Sequence, residues 1–308
     1  MNRIGYILSA ALTVIATSCF TGIESTPKIS SNEVEKQKAE TVTTPEMELA
    51  SHLEQQPITQ WTTGREYVVT DNRIKLIFSS TPAEFIPLKG DTIRYVGYKQ
   101  QTSIAATENV VLQFLKKNND TDTLHYRIER TLDELAQRQS VTVPFTVDLT
   151  LISDARKVLL DKDLYILTSA WFDTDGQRIA GRKFVPVKVT DVKPASEEFP
   201  IGIVFCDSLR TAMLPVSAGL TENKRSFAAI FSFTDPKLKY PAITPENWYA
   251  IQNGLLRIDM TRDECRMSLG APKDVDYGRS YSSTYERWTY TNGAYLIFED
   301  GLLKRYRL

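Results

Sequence analysis

The chain has 308 residues, of which 42% are hydrophobic and 24% charged, and a formal net charge of -1. This is an ordinary globular composition, long enough for two or three domains. The balanced charge gives no electrostatic reason to expect nucleic acid or an acidic polymer as partner, and two histidines with three cysteines leave no ligand set for zinc.

The N-terminus opens with Arg3, an apolar run from Ile4 to Ile15, the small residues Ala16, Thr17 and Ser18, and then Cys19. The run is too short to span a bilayer and has no stop-transfer flank, so residues 1–18 read as a secretory signal. Small residues directly before a cysteine resemble the lipobox of bacterial lipoproteins. That resemblance implies cleavage before Cys19, acylation of Cys19, and an outer-membrane address whose face is left open. The other reading is a plain signal peptide with an incidental cysteine. Residues 19–59, rich in Ser, Thr, Pro, Glu and Lys and poor in aromatics, read as a flexible tether. One or two helical turns within Glu46 to Glu54 are left open.

Residues 60–148 and 149–240 read as two β domains. In the first, "REYVVTDNRIKLIFSS" holds two β-rich runs broken at Asp71-Asn72, followed by strands in "DTIRYVGYKQQ", "NVVLQFLKK" and "LHYRIERT". One short helix is expected over 131–138, capped by Thr131 with Glu134 closing a capping box. Then "VPFTVDLTLI" (143–152), "DLYILTSAWFD", "RKFVPVKVTDV" and "PIGIVFC" read as strands. An internal duplication is weighed against coincidence: Tyr67 matches Tyr165, Gly90 matches Gly181, and Phe114 matches Phe205, with 24 residues from glycine to phenylalanine in both copies. The expected architecture is two SH3-like small barrels or one sandwich.

Residues 241–308 carry denser local signals. Thr244 precedes Pro245, with Ile243 and Trp248 as staple partners and Gly254 beyond the end. Thr261 and Glu264 form a capping box, Met260 and Cys265 a second staple, and Gly270 with Pro272 stops the helix in a left-handed turn. "YERWTY" and "AYLIFED" are strands about Thr291-Asn292-Gly293, and Asp300-Gly301 turns the chain into "LLKRYRL". Two short helices on a three-stranded antiparallel sheet, a small α+β domain, follow.

Those residues carry a further resemblance. Met260-Thr261, Glu264, Leu269-Gly270, Pro272, Trp288, Phe298 and Gly301 are similar to the SmpA/OmlA (BamE-type) outer-membrane lipoprotein domain over residues 243–308. Asp259 stands where that family usually carries Gly. The resemblance implies a non-catalytic α+β domain serving envelope assembly through protein contacts. It carries over no partner-binding residue.

No motif for a nucleophilic enzyme or a phosphate loop is found, and no cofactor is expected. "DTDG" at Asp173–Gly176 begins like a calcium loop, but its twelfth position is Phe184, so a hairpin turn is the expectation. Cys206 and Cys265 are either two separate buried thiols or a disulfide. The aromatics Trp171, Phe172, Phe231 and Tyr240 read as inter-domain packing or as a platform for a protein or glycan. The function expected is a membrane-anchored, non-catalytic module that binds envelope proteins. The alternative is a carbohydrate- or peptidoglycan-binding lipoprotein. Thr261, Glu264, Gly270, Trp288, Gly293 and Gly301 are the expected structural positions.

Overall fold

In a computed structural model, the structure describes residues 44–78, 81–102, 108–117, 119–138, 141–219, 225–279 and 284–308. Among them, sixteen strands fall into three sheets with six helices, so the chain is mostly β.

Packed structure is found within the segment that its composition marks as a tether. Thr44 caps a helix, α1 (Pro45–Leu53), by accepting the Met47 N–H, and Pro45 occupies its first turn. Leu49 and Leu53, one helical turn apart, are both buried. Residues 44–59 are therefore packed structure, a correction to the tether expected through residue 59. Two apolar side chains at helical spacing outweigh a polar average.

The first sheet contains β1 (Glu66–Val69), β2 (Thr92–Thr102), β3 (Glu108–Lys116), β4 (Asn119–Ile128) and β5 (Thr146–Asp148), in the order β4-β3-β2-β1-β5. Alternation puts Tyr67, Ile93, Tyr95, Leu112, Phe114 and Leu124 into one core. The run after Asp71-Asn72 is not a strand. It is a 3-10 turn (Asn72–Leu76), because the Asp71 carboxylate accepts the Arg73 N–H and caps it, and Ile74 fills the core. The expected capping box closes on α2 (Leu132–Ala136).

"VPFTVDLTLI" splits between two elements. β5 ends at Asp148, and Asp148 then caps α3 (Leu149–Leu159) by accepting the Thr150 N–H. The buried set Leu151, Ile152, Ala155, Val158 and Leu159 has helical spacing that only becomes visible beyond residue 152.

The second sheet contains β6 (Asp163–Ile166), β7 (Ala170–Phe172), β8 (Arg178–Ala180), β9 (Val185–Pro194), β10 (Ile201–Cys206), β11 (Thr211–Val216) and β12 (Phe231–Ser232). Its order is β12-β6-β9-β10-β11-β7-β8, with α4 (Phe227–Ile230) leading into β12. Asp173 to Gly176 is the turn of the β7–β8 hairpin, with the Asp173 carboxylate accepting the Asp175 and Gln177 N–H groups.

The two sheets share a meander, β1-β2-β3-β4 in one and β6-β9-β10-β11 in the other. The matched Phe114 and Phe205 are both core residues, but the matched tyrosines do not share a face. Tyr67 points into its core, whereas Leu164 and Ile166 are buried and Tyr165, between them, is not. A one-residue offset in a strand exchanges its faces, so the pairing of Tyr67 with Tyr165 fails even though the strand order agrees.

The third sheet has four strands rather than three: β13 (Asp274–Arg279), β14 (Thr284–Thr289), β15 (Tyr295–Glu299) and β16 (Leu302–Arg307), in that order. β13 escaped notice because "DVDYGR" is a polar edge strand whose identity comes from pairing with β14. Beside this sheet stand α5 (Pro245–Gln252) and α6 (Arg262–Leu269). Trp248, Ile251, Met260, Cys265, Trp288, Leu296, Phe298 and Leu303 form their common core.

Candidate functional site

The described residues form one site where two other segments converge on an edge strand. β5 ends the first sheet, the C-terminal end of α1 passes beside it, and the turn after β9 approaches with Glu197 and Glu198. They enclose a cleft of about 210 Å3. Its walls include Trp61, Arg65, Tyr67, Asp148 and Asp154, and its rim includes His52, Glu54, Thr142, Glu197 and Glu198.

β1 and β5 are antiparallel with Tyr67 opposite Asp148. Arg65 lies two residues before Tyr67, so its guanidinium reaches the same carboxylate. Arg65 Nε donates to Asp148 Oδ2 at 2.8 Å, and Nη2 donates to the same oxygen. The pair is nearly enclosed, at 12% and 16% side-chain exposure. The guanidinium also lies 4.9 Å from the Trp61 ring centroid, a cation–π contact. Burial pulls the Arg65 pKa down, but the hydrogen bond it donates to Asp148 and nearby negative charge more than reverse this, so it stays raised. Asp148 serves three roles at once: strand end, helix cap and counter-ion.

Tyr67 is the unusual member. It is 3% exposed, and its phenolic oxygen is buried without a hydrogen-bond partner. Burial first, and the Asp148 charge second, push its pKa far up, so the phenol stays neutral. An unpaired buried hydroxyl costs about 1–3 kcal/mol. The rim is acidic. Asp154 pairs with Lys157 at 2.7 Å, and Glu197 Oε2 accepts the Phe145 N–H at 2.9 Å. Among the described residues no group of three or more His, Cys, Asp or Glu is placed to hold a metal ion.

The expected positions in the C-terminal part mostly come together. Thr261 Oγ1 accepts the Glu264 N–H at 3.3 Å, and Glu264 Oε2 accepts the Thr261 N–H at 2.7 Å. Glu264 Oε1 accepts from Asn247 Nδ2 at 2.8 Å, and Asn247 Oδ1 accepts from Arg257. The capping box of α6 is thereby fastened to α5. Trp288 is buried, stacks 4.8 Å from Phe298, and donates through Nε1 to Glu286 at 2.5 Å. Glu286 is in turn paired with Arg262. Gly293 ends a three-residue loop between Tyr290 and Ala294 at φ 83°. Asp300 and Gly301, both at positive φ, make the two-residue turn between β15 and β16.

Two expectations need correction. Gly270 has φ 91° and ψ -173°, which is not the left-handed helical turn but an extended, positive-φ conformation that only glycine adopts easily. Trp171 and Phe231 are core residues, each stacked edge-on against Phe205 at 5.1 and 5.6 Å. They share no surface with Phe172, which packs against that core half-buried, or with Tyr240, which lies 6.5 Å from Trp248. The four aromatics therefore form no common platform, because alternation within short strands turned two of them inward. Cys206 and Cys265 are free thiols, and burial pushes the Cys265 pKa up to about 12. Cys19 and the signal segment lie outside the described residues.

Sequence reasoning missed the whole cleft. The available signal was Asp148, an N-cap residue ahead of an apolar helical stripe. The contacts of Arg65 and Tyr67 with it arise from strand pairing across about eighty positions. No helix among the described residues is long and apolar enough to cross a membrane. Compared with known proteins, the chain matches no family model, and no curated protein and no solved structure is significantly similar to it.

Proposed function

We propose that this chain is an outer-membrane lipoprotein, anchored through Cys19, that acts by binding other envelope proteins and performs no chemistry of its own. The observation that carries the proposal is the cysteine placed directly after Ala16-Thr17-Ser18 at the end of a short apolar run. Several acyl chains on one residue give firm anchoring, because each buried CH2 contributes about 0.8 kcal/mol.

The binding module in this proposal is residues 241–308, read as a small α+β domain of the SmpA/OmlA type. Two features support the reading. The Thr261–Glu264 box is tied to Asn247, as a pair of helices acting as one body requires. Asp259, at the position where that family usually carries Gly, has φ 68°, the backbone conformation a glycine would favour. Leu255, Ile258 and Tyr306 are exposed there, and the Tyr306 hydroxyl donates to the Leu256 carbonyl at 3.3 Å. Exposed apolar groups of this kind suit protein contact. For the β-rich part the proposal keeps SH3-like units or a sandwich, favoured by the strand irregularities at Tyr95/Gly97 and Val204/Phe205, which bend long strands. The carbohydrate- or peptidoglycan-binding alternative rested on Trp171, Phe172, Phe231 and Tyr240, and it loses that platform.

Membrane fractionation of Cys19→Ala tests the anchor: release into the soluble fraction or stalled processing is expected. A variant that is fully processed and still fractionates with membranes like the parent refutes it. Pull-down from detergent-solubilised membranes tests the binding role. Recovery of specific envelope proteins is expected; a partnerless monomer with turnover on a glycan or peptide refutes it.

A further inference from the structure

The third sheet leaves its two edges in different states. β16 is closed. The Asp259 N–H donates to the Leu303 carbonyl and the Leu303 N–H to the Met260 carbonyl, each at 2.8 Å. Thr261 bridges Leu302, and Lys304 pairs with Asp259 at 2.5 Å. β13 is open. It pairs with β14, and among the described residues no other backbone group bonds to it. An open edge presents a row of unpaired N–H and C=O groups to any strand that approaches. Two tyrosines frame this edge, one on each face. Tyr277 pairs with Glu286 and so shares the face of the buried Trp288, yet it is 78% exposed. Arg279 stands on the same face and is exposed as well. On the other face Gly278 pairs with Tyr285, whose ring reaches across from β14 and lies over the glycine, so that any Cβ there would collide with it.

We propose that β13 pairs antiparallel with β13 of a second copy of this chain, about a two-fold axis at Gly278, joining the two sheets edge to edge. A two-fold axis through a sheet sets residues of the same face opposite one another, so few registers exist. Centred on Val275, the pairing sets Asp274 against Asp276 of the second copy. Centred on Asp276, it sets Asp276 against itself. Both oppose like charges, which destabilises a strand pair. Centred on Tyr277, it sets each Arg279 against an apolar Val275. Centred on Gly278, it sets Tyr277 against Arg279 twice, each a cation–π pair, and opposes the two glycines beneath the two Tyr285 rings. The aspartates of the two copies then lie at opposite ends of the pairing. The strand is thus complementary to itself in one register, and this favours a second copy over a foreign strand. The inference rests on the sheet alone and is independent of the lipid anchor and of any envelope partner.

Sedimentation velocity of the full-length chain in detergent, over a range of protein concentrations, reads the balance of monomer and dimer. A dimer is expected. Tyr277→Lys sets a lysine against Arg279 of the second copy and should weaken the dimer about tenfold. The Tyr277→Lys/Arg279→Asp double variant makes the opposed pairs complementary again and should return the affinity to within about threefold of the parent. Both positions are exposed, so urea unfolding should show the two variants as stable as the parent. Oxidation of a mixture of Tyr277→Cys chains and Arg279→Cys chains should give a disulfide-linked dimer that neither variant, nor the parent, gives alone. A chain that is monomeric at every concentration, a dimer indifferent to Tyr277→Lys, no recovery in the double variant, or Tyr277→Cys chains that cross-link with one another as readily as with Arg279→Cys chains overturns the proposal.

Discussion

At Gly270 the backbone occupies φ 91° and ψ -173° with open space where a side chain would begin. The cost of substitution there is conformational rather than steric. Gly270→Val should therefore lose more stability than Thr261→Ala, which removes one cap at about 1 kcal/mol. Urea unfolding of the two variants gives the order. Tyr67 presents the opposite case. Tyr67→Phe removes a buried oxygen that has no partner, so it should leave stability unchanged or raise it by up to about 1 kcal/mol in the same assay. Cys265 makes a pH prediction. Its thiol is raised from 9.0 to about 12 by burial, so the unfolded chain loses that proton first. Between pH 9 and 12 the unfolded state binds fewer protons, and stability falls as pH rises. Cys265→Ala should be less stable at neutral pH but show a shallower loss over that window in urea melts.

The short helices illustrate what holds an element this brief. A helix of eight residues is marginal alone, so its ends and its packing must supply the stability. α6 has a box at one end, glycine at the other, and Cys265 buried in its middle. These devices are local in sequence, which is why Thr131, Thr244 and Thr261 were all legible as caps. α3 was not legible, because the residues that start it also end a strand. Asp148 joins the two elements, and Asp148→Ala should cost about 3 kcal/mol by stripping a cap and leaving the enclosed Arg65 unpaired. Asp154→Ala, which breaks only an i,i+3 surface pair with Lys157, should cost well under 1 kcal/mol. Thermal unfolding of both variants checks the contrast. Trp288→Ala should be more damaging still, about 3–5 kcal/mol, since it empties the shared core and takes one of the two partners of the buried Glu286, which keeps Arg262.

At the scale of the whole molecule, residues 181–184 join the second sheet to the C-terminal helices. Phe184 stacks edge-on 6.0 Å from Trp248, its carbonyl accepts from Gln252 Nε2 at 2.8 Å, and Lys183 Nζ donates to the Ser268 carbonyl. Lys183 thus caps the C-terminal end of α6, at the negative pole of the helix. Burial lowers its pKa from 10.5 to about 8. Between pH 8 and 10.5 the unfolded chain binds more protons than the folded one, so stability contributed at this site rises with pH across that window. The stability difference between the parent and Lys183→Met should widen in favour of the parent from pH 8 to 10.5. Other lysines and tyrosines titrate in the same range but are common to both proteins. A difference that stays flat or narrows in urea melts shows that the amine is not enclosed by this contact.

The sequence by itself determined the mostly β character, through alternation in strands such as "VVLQF" and "IGIVF". It also determined the capped helices at 131, 244 and 261 and the Asn-Gly and Asp-Gly turns, because each depends on residues within four positions of one another. Tertiary structure decided which aromatics are surface and which are core, since Trp171 and Phe231 are buried by strands distant in sequence. It decided that residues 44–59 are packed and that "DVDYGR" is a strand, because the partners that order them lie elsewhere in the chain. It alone made the acidic cleft. Arg65 and Tyr67 meet Asp148 only through the β1–β5 pairing, and Glu197 and Glu198 arrive from the other sheet. A local pattern can specify an element's ends and faces, but a site assembled from four separate segments exists only once long-range pairing has set their register.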